Sequence, residues 1–315
     1  MKVAAIGECM VEFSPRPGGG YIQSFGGDTL NFAVYLARLG AAVDYVTALG
    51  DDPFSAEMLA AWRAEGVGTD LVDIAPGRMP GLYVIRTDAD GERSFHYWRD
   101  RAPARELFAR AHASGLAERL AGYDWLYLSG ITLSIYGRDG RAVLFEVLDA
   151  ARRHGGRVAF DGNYRPRGWN EDAAAARGAF AEILRRADLA LPTFDDEHAL
   201  FGDRDAEACA SRHRAAGIGE VVVKQGERGC LVGTGDDAVW VPTERVAAPV
   251  DTTAAGDSFN AGYLAARLGG ADAPAAARQG HRLAATVIRY PGAVIPRDAM
   301  PDMVPAPPTS EGTTR

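Results

Sequence analysis

Short apolar runs alternate with amphipathic stretches along most of the chain. Lys2–Ile6 reads as a buried strand, and Gly18-Gly19-Gly20 as a loop. After Phe25-Gly26-Gly27-Asp28-Thr29-Leu30-Asn31 a helix runs to about Leu39. It carries Phe32, Tyr35, Leu36 and Leu39 on one face, with Gly40 as its stop. Val43–Leu49 is the next strand and Phe54–Glu65 the next helix, closed by Gly66. Downstream, strands are expected at Trp125–Leu128, Val158–Phe160, Leu189–Leu191 and Val221–Lys224. Helices are expected over Gly137–His154, around Asp195–Phe201 and over Ala206–Ala216. Repeated βα units of this kind predict an α/β fold, a mostly parallel sheet with helices on both faces.

One segment breaks the alternation. Gly81–Thr87 and Glu92–Arg99 have period-two patterning and flank Asp88-Ala89-Asp90-Gly91, which ends in a hairpin dipeptide. A lone hairpin is marginal in water, so it reads as a small β lid belonging to the larger fold. One domain over 1–301 is expected, with the lid supplied mainly by 81–99. The Pro/Thr-rich segment 302–315 is expected to be a disordered tail.

Composition narrows the function. Among 315 residues, 34 Lys and Arg stand against 42 Asp and Glu, a formal net charge of 34 − 42 = −8. That balance, without a basic run, argues against nucleic-acid binding, while leaving room for a few local Arg residues to hold a small anion. No stretch reaches the ~20 apolar residues of a membrane helix, so no membrane association is expected. The first eight residues reach Gly7 and Glu8 too early for a secretory signal, and a cytoplasmic location is expected. Cys9, Cys209 and Cys230 fit no zinc spacing and read as buried reduced thiols.

The richest segment is Val250-Asp251-Thr252-Thr253-Ala254-Ala255-Gly256-Asp257-Ser258-Phe259-Asn260. Small residues at Ala254, Ala255 and Gly256 let a ligand approach the backbone where a helix begins. The free N–H groups and the dipole there form an anion hole. Asp257, in the first turn, is read either as a helix-start acid favoured by the dipole or as a base taking a hydroxyl proton. Upstream, Gly26 and Gly27 can present backbone amides to a polar ligand, with Asp28 and Asn31 as polar anchors; Asp28 or Thr29 can also cap the helix. Arg99 and Arg165 bring two cations to one crevice, with Tyr83 and Tyr97 on the same lid face. A small carboxylate is held by such a guanidinium fork, although each Arg alone could be a surface ion pair. No Walker loop is present, and the absence of GxGxxG after the first strand excludes a nicotinamide dehydrogenase.

These residues carry a family resemblance. Asp251–Phe259, with Ala254 where the commoner form has Gly, resembles the second signature of the ribokinase-like (PfkB) carbohydrate kinases. Gly26-Gly27…Asn31 resembles the first signature and departs from it at Thr29. Ile6–Met10, Pro80–Tyr83, Tyr97–Arg99, Tyr127–Ile131, Asp161–Arg167 and Val221–Lys224 are similar to the 2-keto-3-deoxygluconate kinase subgroup. The resemblance implies a ribokinase-like fold and transfer of phosphate from ATP, with Mg²⁺, to the 6-hydroxyl of that sugar acid. Asp257 would be the base, and Ala254, Ala255 and Gly256 the anion hole. Tyr97 and Arg99 would hold the carboxylate, with Arg165 near both carboxylate and phosphate. Asn163, Lys224, Gly226 and Gly229 would border the nucleotide, and Asp251 and Thr253 a K⁺ loop. An exposed lid edge invites a homo-oligomer. The alternatives are another sugar kinase, such as a fructokinase or ribokinase, and a non-catalytic sugar-acid sensor on the same scaffold.

Overall fold

Val3, Ala4, Ala5 and Ile6 are all fully buried, so strand β1 (Lys2–Ile6) has no solvent face. That is the situation of an inner strand in a parallel sheet with helices on both sides. The computed structural model describes all residues except 17, 88–92, 110–114 and 304–315; the turn 88–91 and nearly all of the expected tail lie outside the described residues.

The further strands are β2 (Met10–Pro15), β3 (Tyr21–Gly26), β4 (Ala42–Leu49), β5 (Val72–Ile74), β6 (Leu82–Thr87), β7 (Arg93–Trp98) and β8 (Trp125–Ser129). They continue with β9 (Arg157–Asp161), β10 (Leu189–Ala190), β11 (Glu220–Lys224), β12 (Cys230–Thr234) and β13 (Asp237–Val241). Among the described residues, nine of these form one sheet in the order β13-β12-β11-β10-β9-β8-β1-β4-β5. Seven of the nine run parallel, and β12 and β13 add an antiparallel edge.

Alternation along the strands feeds two cores. Ala4, Ile6, Leu126, Leu128, Val158 and Phe160 face one side, packed with the helices Arg138–Arg153 and Ala173–Leu184. Val3, Ala5, Trp125, Tyr127 and Ala159 face the other, under the helices Asp28–Arg38, Ala255–Leu268 and Ala273–Val287. No helix among the described residues is long and apolar enough to cross a membrane.

The second sheet, β3-β2-β6-β7, is the lid. The expectation that 81–99 supplies most of it is corrected: that hairpin gives two strands of four. β2 and β3 give the others, and Gly18, Gly19 and Gly20, all at positive φ, make the turn between them. β2 follows directly from β1 through Gly7–Cys9, which ties the lid to the centre of the main sheet.

At the ends of β8 and β9, backbone meets backbone. A Cβ on Gly130 would lie 2.0 Å from the Gly162 carbonyl oxygen and 2.7 Å from the Phe180 ring. Gly130→Ala should therefore cost about 1–3 kcal/mol of unfolding free energy, measured by denaturant titration, by forcing the 161–163 turn outward.

Candidate active site

The carboxyl ends of β1, β8, β9 and β11 open under the lid into a cleft of about 1550 Å³. Ligands of open α/β sheets bind at this end. The eight residues read as sugar-binding all line it, together with Ala254–Asp257, Asn163 and Lys224. Gly226 and Gly229 are not brought in. They shape the turn from β11 to β12, where a Cβ on Gly229 would lie 2.3 Å from the Val241 carbonyl oxygen.

The loop before the helix Ala255–Leu268 is stapled by Asp251. Its Oδ1 accepts from the Thr253 N–H at 2.9 Å and Oγ1 at 2.6 Å, and its Oδ2 accepts from the Gly292 N–H at 3.0 Å. Ala254 then turns into the helix at φ 60°, ψ 15°, the left-handed region, which costs an L-residue about 1–2 kcal/mol. A glycine would sit there without that cost. The turn leaves the N–H groups of Gly256 and Asp257 without intrahelical acceptors at the mouth of the helix.

Three carboxylates and one ammonium group meet behind this loop. The Lys224 Nζ donates to Asp161 Oδ1 at 3.2 Å and to Asn260 Oδ1 at 3.0 Å. It lies 3.6 Å from where a Gly256 Cβ would stand. Asn31 Nδ2 donates to Asp257 Oδ2 at 2.8 Å, and Asn163 Nδ2 to Asp28 Oδ2 at 2.7 Å. Asn163 reaches its partner from φ 34°, a left-handed conformation that Asn tolerates better than most residues. Burial pushes Asp257 up to about 8. The Asp28 and Asp161 charges add to the rise, while the Asn31 hydrogen bond and the Lys224 charge oppose it. Asp28 is also raised by burial. A carboxylate tuned towards neutrality is matched to general-base work.

The two arginines expected to clamp an acid are already paired. Arg99 donates through Nη2 to Glu8 Oε2, a carboxylate 4% exposed at the end of β1. Arg165 is held at 3.1 Å by Asp196. Tyr97 lies against Arg99, its ring centroid 5.9 Å from the guanidinium carbon, and Tyr83 donates its hydroxyl to Glu12. Sequence reasoning missed Glu8, Glu12, Asp196 and Asn260, whose partners Arg99, Tyr83, Arg165 and Lys224 lie 31 to 91 positions away. A carboxylate directly after an apolar strand was the available signal for Glu8. Thr29, where the signature departs, is fully buried and hydrogen-bonded to the Tyr45 hydroxyl at 3.0 Å.

A ribokinase-like α/β fold is the architecture of a carbohydrate kinase. The solved structures of a PfkB protein from Polaromonas sp. JS666 (TM-score 0.81, 27% identity, 90% of this chain and 94% of that one) and of a fructokinase with bound ATP from Xylella fastidiosa (TM-score 0.80, 25% identity, 95% of each) share it. The model of the pfkB family carbohydrate kinases matches residues 1–300, and the chain belongs to that family. It is 48% identical over 310 residues to a 2-dehydro-3-deoxygluconokinase of Dickeya dadantii, with 95% of this chain and 98% of the relative covered.

A base works only when deprotonated, so kcat/KM should rise with pH through the free-enzyme value near 8. Lys224→Met removes a charge that favours the Asp257 carboxylate and should move that acid limb to higher pH. An unmoved limb would separate the two groups.

Proposed function

We propose that the protein transfers the γ-phosphoryl group of ATP to the 6-hydroxyl of 2-keto-3-deoxy-D-gluconate, giving 2-keto-3-deoxy-6-phosphogluconate. What carries this reading is the seating of Asp257 at a bare helix mouth, in a chain that closely resembles a kinase of that sugar acid. Asp257 takes the proton of the acceptor hydroxyl as the oxygen attacks phosphorus. The N–H groups over Ala254–Asp257 receive the charge of the transferring phosphoryl group. Gly26, Gly27, Asp28 and Asn31 hold the sugar from the side of the helix Asp28–Arg38, and Tyr83 and Tyr97 cover it from the lid. Arg165 faces the carboxylate and the phosphates. Residues 1–301 act as one unit.

Mg²⁺ takes oxygen ligands, usually one or two carboxylates alongside phosphates. Asp161 and Asp196, with Asn163, supply that donor set in the cleft and would hold it. Bound there, the ion neutralises phosphate charge. Asp251 and Thr253 enter this reading through the staple of the anion-hole loop, and a K⁺ ion beside them would stiffen the same loop. Buried, unpaired Cys9, Cys209 and Cys230 fit a reducing cytoplasmic setting, where ATP is supplied.

Asp257→Asn should lower kcat about 10²–10⁴-fold while KM for the sugar acid stays within a few-fold, read by ADP release. Near-wild-type turnover removes the base. Against a panel of ketoacids, hexoses and pentoses, the wild type should prefer 2-keto-3-deoxygluconate.

Tyr21, Ile22 and Trp98 are 49%, 49% and 62% exposed on the lid, whose edge strands β3 and β7 are uncovered in the single chain. Such edges favour pairing, and we read the lid as the contact of a homo-oligomer. Sedimentation should show a species heavier than the 33.5 kDa chain, which Trp98→Glu dissociates.

A further inference from the structure

We propose that Glu197, Cys209 and His213 form a binding site for one zinc-like divalent cation, outside the cleft and behind its floor. Spacing along the chain does not announce it, because the three donors come from two helices. Cys209 and His213 stand at i and i+4 of the helix Ala206–Ala215, one turn apart on the same face. The helix Phe194–Phe201 brings Glu197 against them. One donor atom from each residue lies within 4.8 Å of the other two, and all three residues are buried, at 1% exposure or less. Sulfur, nitrogen and oxygen donors together suit Zn²⁺, whereas Mg²⁺ takes oxygen.

Hydrogen bonding inside the cluster leaves the right lone pairs free. The His213 Nδ1 lies 2.9 Å from the Cys209 carbonyl oxygen, which places the ring proton on Nδ1. The Nε2 lone pair then faces Glu197 Oε2 at 4.0 Å, and Cys209 Sγ lies 3.7 Å from Nδ1 of the same ring. A backbone carbonyl orients ligating histidines in this way. Burial pushes His213 down to about 4, so its imidazole is neutral and able to ligate. A tetrahedral zinc site sets such donors about 3.3–3.6 Å apart, so a small contraction completes it. Glu197 Oε1 is buried with no hydrogen-bond partner, while Oε2 accepts from Arg212 Nη2. That one guanidinium serves both Glu197 and Asp203, which leaves the buried group one positive charge short. Arg212 also holds Asp203 through Nε at 3.1 Å and Nη2 at 2.6 Å, so it can release Glu197 to an ion and stay anchored. Coordination forms a metal–sulfur bond and passes the Cys209 thiol proton to solvent. The site backs on the turn after β9, where a Cβ on Gly162 would lie 2.7 Å from Glu197 Oε1. Asp161 and Asn163 of that turn, and Asp196 beside Glu197, line the cleft, so the ion braces the cleft from behind.

Co²⁺ is the probe, because a cobalt–thiolate bond gives a near-ultraviolet charge-transfer band that oxygen and nitrogen ligands do not. Metal-stripped, reduced protein is titrated with Co²⁺ in excess Mg²⁺, which keeps the oxygen donors of the cleft occupied. One Co²⁺ per chain should bind with that band, and Zn²⁺ should displace it. Cys209→Ala should abolish the band, whereas Cys9→Ala and Cys230→Ala should leave it unchanged. His213→Gln and Glu197→Gln should each weaken Co²⁺ binding at least about tenfold. If Cys209→Ala does not fold, X-ray absorption at the zinc edge of the wild type gives the same reading, with one sulfur expected at about 2.3 Å. A wild type without the thiolate band, a band that survives in folded Cys209→Ala, or a zinc shell of oxygen and nitrogen alone overturns the inference.

Discussion

The site depends on one buried ammonium group set among more negative charges than it can balance. Lys224 is hydrogen-bonded to Asp161 and Asn260, and Asp28 and Asp257 stand in the same desolvated space. Charge in a low-dielectric region is costly unless paired. The excess is absorbed in the protonation equilibrium of Asp257, whose affinity for a proton rises towards neutrality. A group with an ordinary carboxylate pKa would be a feeble base for a hydroxyl. The crowding that makes this cluster expensive also makes Asp257 useful.

The rest of the architecture serves that cluster. β1, β8, β9 and β11 end at one level, which brings Glu8, Ser129, Asp161 and Lys224 together although more than 200 positions separate the first from the last. The Gly130–Gly162 contact lets β8 and β9 approach at that level. The strain in Ala254 aims the helix mouth at the same point, and the Asp251 staple holds the loop that carries it. Strain of this kind persists only where surrounding contacts over-determine the backbone.

How much of this was legible in the sequence follows from range. The βα alternation, the helix opening at Ala255 and the glycine-flanked Asp28–Asn31 are local patterns, and the structure has them close to where they were read. β2 was missed because Met10–Pro15 is short, ends in proline and alternates only partly. β3 was missed because its first three residues are exposed and carry little apolar signal. Long-range pairings were invisible. Arg99 and Arg165 are legible as cations that either clamp an acid or form ion pairs, but nothing near them in sequence announces Glu8 or Asp196 as the partners. Gly226 and Gly229 both stand at positive φ in the turn after β11, and Gly229 also meets a close backbone crossing that sequence does not announce. At Ala254, where the commoner family form has glycine, the left-handed conformation shows that backbone angle rather than side-chain size is the constraint.

The central claim is that burial and neighbouring carboxylates hold a proton on Asp257 into the neutral range. Titration of the carboxyl carbon resonances in ¹³C-aspartate-labelled protein, with Asp257→Asn assigning the signal, measures this directly. The account predicts a midpoint near 8 that falls when Asp28→Asn removes the neighbouring charge. A midpoint in the ordinary carboxylate range, indifferent to Asp28, would contradict it.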